Sequence, residues 1–228
     1  MQLSHRDDHV EIDPAILYFG TPVVLVGTRN ADGTPNLAPI SSAFWLGRRG
    51  VIGLGSSSHS LANLRRERAC VLNLPSAEQA DAVDRLALTT GADPVPDGKR
   101  VRGYRHEADK FGVAGLTPLP GRSVDAPRAA ECPVQLEARV AAFRSLAEDD
   151  PAERGRIWTV EVEVVRVHVA EAIRVPGRPN RVDPDRWRPM IMSFQKYYGL
   201  GPQLRPSTLA TIDEDLYRSA TPVATPTR

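Results

Sequence analysis

Two stretches of the chain gather residue types that can hold a ligand without any catalytic triad. In the first, Asn36, Leu37, Ala38, Pro39, Ile40, Ser41 and Ser42 follow one another. Pro39 removes a backbone donor and small residues surround it, so the segment cannot be a central strand paired on both sides. Its free amides and carbonyls can meet the polar edge of a ring system, with Ser41 and Ser42 adding hydroxyls. The alternative is an edge strand whose proline discourages pairing with another chain. In the second stretch, Gly55-Ser56-Ser57-Ser58-His59-Ser60 leads from a strand into a helix, with Asn63 one turn further on. A helix N-terminus presents unpaired N–H groups and a partial positive charge, so Ser57, Ser58, His59, Ser60 and Asn63 can cradle a phosphate. The alternative is a serine-rich turn that only caps the helix, with Ser60 as the N-cap.

Other chemistry-bearing residues are sparse. His5 and His9 have the spacing of a helical metal pair, but nothing around them predicts a helix or a third ligand, and no metal site is expected. His168 sits in a strand, packed or at the surface. Cys70 and Cys132 are far apart, form no CxxC motif, and are expected to be buried thiols.

The elements that must position these residues are mostly strands. Residues 21–28 (TPVVLVGT) form a β-branched apolar run ended by the turn chemistry of Asn30-Ala31-Asp32-Gly33, which predicts a hairpin returning over residues 36–43. A turn at residues 47–50 and a strand over 51–55 follow. The helix after Ser60 carries Leu61 and Leu64 on its apolar side, with residues 65–68 mostly facing water, and a strand over 69–74 comes next. Residues 77–88 read as a helix, residues 91–98 as a loop, and 134–142 as a half-buried strand with Gln135, Glu137 and Arg139 outward. Within residues 158–169 the apolar phase runs on Trp158, Val160, Val162 and Val164, then shifts to Val165, Val167 and Val169. That shift predicts a β-bulge. Residues 175–189 read as a long loop.

Short strands without regular βαβ alternation point to an antiparallel barrel and away from a doubly wound sheet. No GxGxxG or P-loop appears. With 29 Lys+Arg against 28 Asp+Glu, the formal charge of +1 supplies no field for nucleic acid or an anionic membrane, and neither partner is expected. The absence of a signal-like or spanning apolar run predicts a cytoplasmic protein.

Three stretches, TPVVLVGTRNADGTPNLAPISSAF, GSSSHSLANLRRERACVLNLP and DKFGVAGLTPLPGRSVDAPRAAECPVQLEARV, followed by the valine-rich strand, together resemble the flavin reductase-like FMN-binding split barrels, which include flavoredoxin-type proteins. The resemblance spans most of residues 15–200. It implies one domain over residues 1–228, mainly β with α insertions, folded as an antiparallel Greek-key split β-barrel, with residues 1–14 and 221–228 flexible. It also implies that residues 36–42 contact the isoalloxazine and ribityl chain of FMN, and that Ser57, Ser58, His59, Ser60 and Asn63 lie at or near the phosphate. The implied activity is flavin reduction by NADH or NADPH in a homodimer, with His106 a candidate for the nicotinamide slot and a flavin-dependent monooxygenase or other redox partner downstream. An electron-transfer flavoprotein with permanent FMN and a flavin-free binding protein of the same fold are the alternatives. The chain departs from the family in two places. It lacks the Arg or Lys that often precedes the helix cap, so the cations expected at the phosphate are His59 and an arginine of the second subunit from residues 174–188. The prolines often found before the third strand are replaced by Gly47-Arg48-Arg49-Gly50.

Overall fold

The computed structural model describes residues 8–218; His5 and the tail expected over residues 221–228 lie outside them, as does the first half of the lead-in. Residues 21–28 are apolar at nearly every position because the strand they form is covered on both faces. β1 (Phe19–Pro22) precedes β2 (Val24–Arg29), in which Val24 and Val26 enter one core while Leu25, with Val23 just before the strand, enters another. The expected turn closes on an Asn30 N–H to Thr34 O bond of 2.9 Å, and β3 (Pro35–Ile40) returns antiparallel to β2.

The predicted return strand is shorter than expected. It stops before Ser41 and Ser42, and β4 (Ala43–Leu46) turns away to pair with β5 (Arg49–Gly55). The reason is local: Ser42 binds across to Gly53, its O accepting the Gly53 N–H at 2.8 Å and its Oγ donating to Gly53 O at 2.7 Å. After α1 (His59–Glu67) comes β6 (Ala69–Leu74), as predicted, then a 3-10 turn (Ala77–Gln79) and α2 (Ala80–Leu86). Small elements follow: β7 (Thr89–Thr90), α3 (Asp97–Arg100), β8 (Arg105–His106), α4 (Lys110–Ala114) and the hairpin of β9 (Pro118–Pro120) with β10 (Pro127–Ala129). The chain then forms the long pair β11 (Val134–Ser145) and β12 (Ile157–Val169), and ends its sheets with β13 (Met190–Ser193) and β14 (Lys196–Gly199).

Seven strands pair antiparallel in the order β3-β2-β6-β11-β12-β5-β4. The sheet curls, so that Val26 near one edge and Ile52 near the other share one core, into which α1 places Leu61 and Leu64. This is the mainly β architecture with α insertions that the strand pattern implied. The predicted bulge is present: Glu137 faces Arg166 and Ala138 faces Val164, leaving Val165 as the extra residue. A second core packs α2 and α4 against the outer face of β2 and β3 through Val83, Leu86 and Phe111.

One face of β11 departs from expectation. Gln135 and Glu137 are buried, not solvent-facing, because β10 and Cys132 lie over Gln135 and the segment joining β9 to β10 lies over Glu137. Glu137 accepts backbone N–H bonds from Arg122, Ser123 and Val124, and its Oε1 lies 2.6 Å from His168 Nε2. Burial alone would raise its carboxyl pKa, but these hydrogen bonds outweigh it and hold the pKa below the ordinary value. Both cysteines are buried free thiols, pushed up to about 12 by burial.

Candidate functional site

A cleft of about 750 Å³ opens where the ends of β3 and β5, the α2–β7 junction and the β13–β14 hairpin meet. Its walls bring together part of each stretch singled out in the sequence: Pro39, Ile40, Ser41 and Ser42 from the first, and Ser58 from the second. Tyr18, Tyr104, Tyr197 and Met192 supply aromatic and thioether surface.

The first stretch divides in two. Leu37 is fully buried in the outer core and Asn36 is 2% exposed, so neither side chain reaches the cleft. The ladder decides which amides are available. Pro35 and Pro39 have no N–H, and Asn30 N–H bonds Thr34 O, so the alternation of an antiparallel pair makes Thr28↔Asn36, Val26↔Ala38 and Val24↔Ile40 the hydrogen-bonded pairs. The Ala38 and Ile40 amides are therefore spent on β2. Ser41 lies beyond the last pair, half-buried on the cleft wall, and its N–H has no partner among the described residues. Thr21 Oγ1, on another wall residue, is likewise buried without a partner among the described residues.

In the second stretch the cap is Ser58, not Ser60. Ser58 has extended φ and ψ of −72° and 125°, and its side chain accepts from Leu61 N–H at 3.4 Å. Ser60 is already inside the first turn, 2% exposed, where its Oγ accepts from Asn36 Nδ2 at 3.2 Å. Ser57 stays exposed in the preceding turn. Asn63 is buried, donating to Thr28 Oγ1 at 3.1 Å and Asn30 Oδ1 at 3.0 Å. His59 Nε2 lies 2.8 Å from the same Asn30 oxygen, and Arg66 Nη2 donates to Asn63 Oδ1 at 3.0 Å. Thr28, Asn30 and Arg66 were missed in the sequence: Asn30 reads as a turn residue, and Arg66 as a solvent-facing one.

The cations near this web come from an unexpected place. Lys110 is 1% exposed and donates to Thr89 Oγ1, while Lys99 donates to Thr90 Oγ1 at 3.2 Å. Burial first, then Lys99, lowers the Lys110 pKa to about 8. Burial first, then Arg66, Lys110, Lys99 and His106, lower the His59 pKa below its ordinary value and favour the neutral imidazole over the charged form. Gly91 lets the chain pass this group: a Cβ there would lie 2.6 Å from His59 Cδ2 and 3.1 Å from Asn36 Oδ1. Within the arginine-rich segment, Arg174 pairs with Glu171, Arg186 with Asp183, and Arg181 with Asp213, Glu214 and Asp215. His106 is exposed with Nδ1 3.2 Å from Ala92 O; it is not on the cleft wall, where Tyr104 stands instead.

The arrangement can seat a flat polar-edged ring against residues 39–42 and an anion near the start of α1. Among the described residues no His, Cys, Asp and Glu group could hold a metal ion, and no helix is long and apolar enough to cross a membrane. A family model for the flavin reductase like domain matches residues 16–201. The chain is 36% identical over 191 residues to the Bacillus subtilis (strain 168) protein YdfE, described as uncharacterized, covering 84% of this chain and 89% of that one. Among solved structures, it is similar to the flavoredoxin of Desulfovibrio vulgaris (Miyazaki F) at 21% identity and a TM-score of 0.70, over 90% of this chain and 100% of that chain. It is also similar to nitrilotriacetate monooxygenase component B from Bacillus cereus at 17% identity and a TM-score of 0.69, over 88% and 100%.

Proposed function

The chain belongs to the flavin reductase-like family, and we propose that it is an FMN-binding flavin reductase that takes hydride from NADH or NADPH. The observation that carries this reading is the meeting, in one cleft, of residues 39–42, where the β3 ladder ends and the Ser41 amide is left over, with the capped start of α1 at Ser58. When bound, the flavin supplies the redox chemistry, accepting hydride on its ring and passing electrons on.

The residues present fit such a group. The Ser41 N–H and hydroxyl, and the Ser42 Oγ as an acceptor while it donates to Gly53, offer hydrogen bonds to the polar rim of the ring, and Thr21 Oγ1 is a buried hydroxyl still without a partner among the described residues. The Ser58 hydroxyl and the first-turn amides of α1 would meet the phosphate. Lys99 and Lys110 would balance its charge, in place of the Arg or Lys that the cap lacks. Tyr18, Tyr104, Tyr197 and Met192 would exclude water from the ring. Exposed Phe44, Leu46 and Val167, at 54%, 75% and 47%, provide apolar surface for a second copy. In this reading the protein is a cytoplasmic homodimer of single-domain subunits, and reduced flavin goes on to a flavin-dependent monooxygenase or another redox partner.

The test is the visible spectrum of the purified protein with added FMN, recorded without oxygen before and after NADH or NADPH. The reading expects a shifted, saturable flavin band that bleaches with one of the two donors. A free-FMN spectrum at every protein concentration would overturn it.

A further inference from the structure

The hairpin of β13 and β14 is closed by two residues, Phe194 and Gln195, between the pair Ser193↔Lys196. Both have positive φ, 44° and 65°, which is the conformation of a type I′ turn. Such turns are dominated by Asn, Asp and Gly because a side chain at positive φ crowds its own backbone. A Phe-Gln turn therefore keeps two side chains where glycine would be less strained, and backbone strain of this kind is retained where the side chains have a task.

Phe194 has a task within the fold. Its N–H donates to Tyr18 O at 2.8 Å, and its ring meets Phe19 edge-on at 4.8 Å between centroids. Gln195 has no such task. Its side chain makes no hydrogen bond among the described residues, and it stands on the cleft wall with Tyr18, Tyr197 and Met192.

The geometry points to Gln195 as the residue that recognises the carboxamide of the nicotinamide donor. A glutamine amide offers one acceptor and two donor hydrogens, which can pair with another primary amide through two complementary hydrogen bonds. A nicotinamide ring seated among the tyrosines would present its carboxamide at the rim, where Gln195 is held. The inference rests on the proposed flavin reductase reading.

The test compares wild type with Gln195→Gly and Gln195→Asn, using NADH, NADPH and the reduced 3-acetylpyridine dinucleotide, whose acetyl group lacks the amide donors. Gln195→Gly should melt no lower than wild type, because glycine suits this φ. It should leave FMN affinity within about twofold and raise KM for the nicotinamide donor roughly tenfold at similar kcat, the signature of a lost binding contact. Wild type should discriminate against the acetylpyridine donor, and Gln195→Gly should lose that discrimination. Gln195→Asn, which tolerates positive φ and keeps an amide, should recover part of both. If Gln195→Gly leaves KM and donor discrimination within about twofold of wild type while FMN is bound, this inference is wrong and the flavin reading stands. A wild-type protein that binds no flavin overturns both.

Discussion

Residues 39–42 and Ser58, the cap of α1, line the same cleft, but the first region presents backbone, and behind the second lies a web of side chains. At the edge of the sheet the structural cause is subtraction: Pro39 has no N–H, the ladder ends at Ile40, and the Ser41 amide is left over. At the helix the cause is assembly. Thr28, Asn30, Asn36, Ser60, Asn63 and Arg66 satisfy one another, and the charge near them comes from Arg66 itself and from Lys110 and Lys99, far along the chain. A site made by withholding a hydrogen bond is written locally. A site made by gathering charge is written across the whole sequence.

The largest expected effect lies on the assembled side. Lys110 titrates at about 8 in the folded chain against 10.5 when unfolded, so below pH 8 its buried charge opposes folding by on the order of 3 kcal/mol. Between about pH 8 and 10.5 the native state releases this proton before the unfolded state does, and stability should rise with pH. Urea titrations of ligand-free Lys110→Met should show higher stability at pH 7 and a flatter profile across that window. An unchanged profile would mean that Lys110 carries no buried charge in the folded chain.

Next in size, Lys99→Met should weaken FMN binding by about 1.5–3 kcal/mol, the worth of a charge-assisted hydrogen bond, while leaving riboflavin affinity unchanged. Equal losses for both ligands would move Lys99 away from the phosphate. Ser58→Ala should then cost ~0.5–2 kcal/mol of stability through the lost cap, whereas Ser60→Ala should leave the cap intact, since its hydroxyl serves Asn36. Denaturant midpoints for the pair distinguish the two serines. Smallest of all, Ser41→Ala should cost flavin binding only ~0.5–1.5 kcal/mol, because the backbone amide remains.

The two regions also differ in how far the sequence revealed them. Pro39 among small residues marked the free edge, and the change of apolar phase after Val164 marked the bulge at Val165, because both follow from one strand's own periodicity and chemistry. The cap was misplaced by two residues, since Ser56, Ser57, Ser58 and Ser60 all satisfy the same rule and only the backbone angles at Ser58 choose among the four. Asn36 and Leu37 read as ring contacts, yet β3 is covered on both faces there, Asn36 toward Thr28 and Ser60 and Leu37 in the outer core. Nothing near the DKF sequence of residues 109–111 indicates that Lys110 will be buried against Thr89, a contact made only when α4 packs beside β7. Glu137 was hidden for the same reason: its partners arrive on a separate hairpin.

The most direct measurement is a fluorescence titration of the purified protein with FMN, riboflavin and lumiflavin, which share the ring and lose in turn the phosphate and the ribityl chain. The two-part site predicts saturable binding of all three, with FMN tightest, and a gap between FMN and riboflavin that shrinks in Lys99→Met. Equal affinity for FMN and riboflavin in the wild type would contradict the charged half of the site, and no quenching by any of the three would contradict the whole of it.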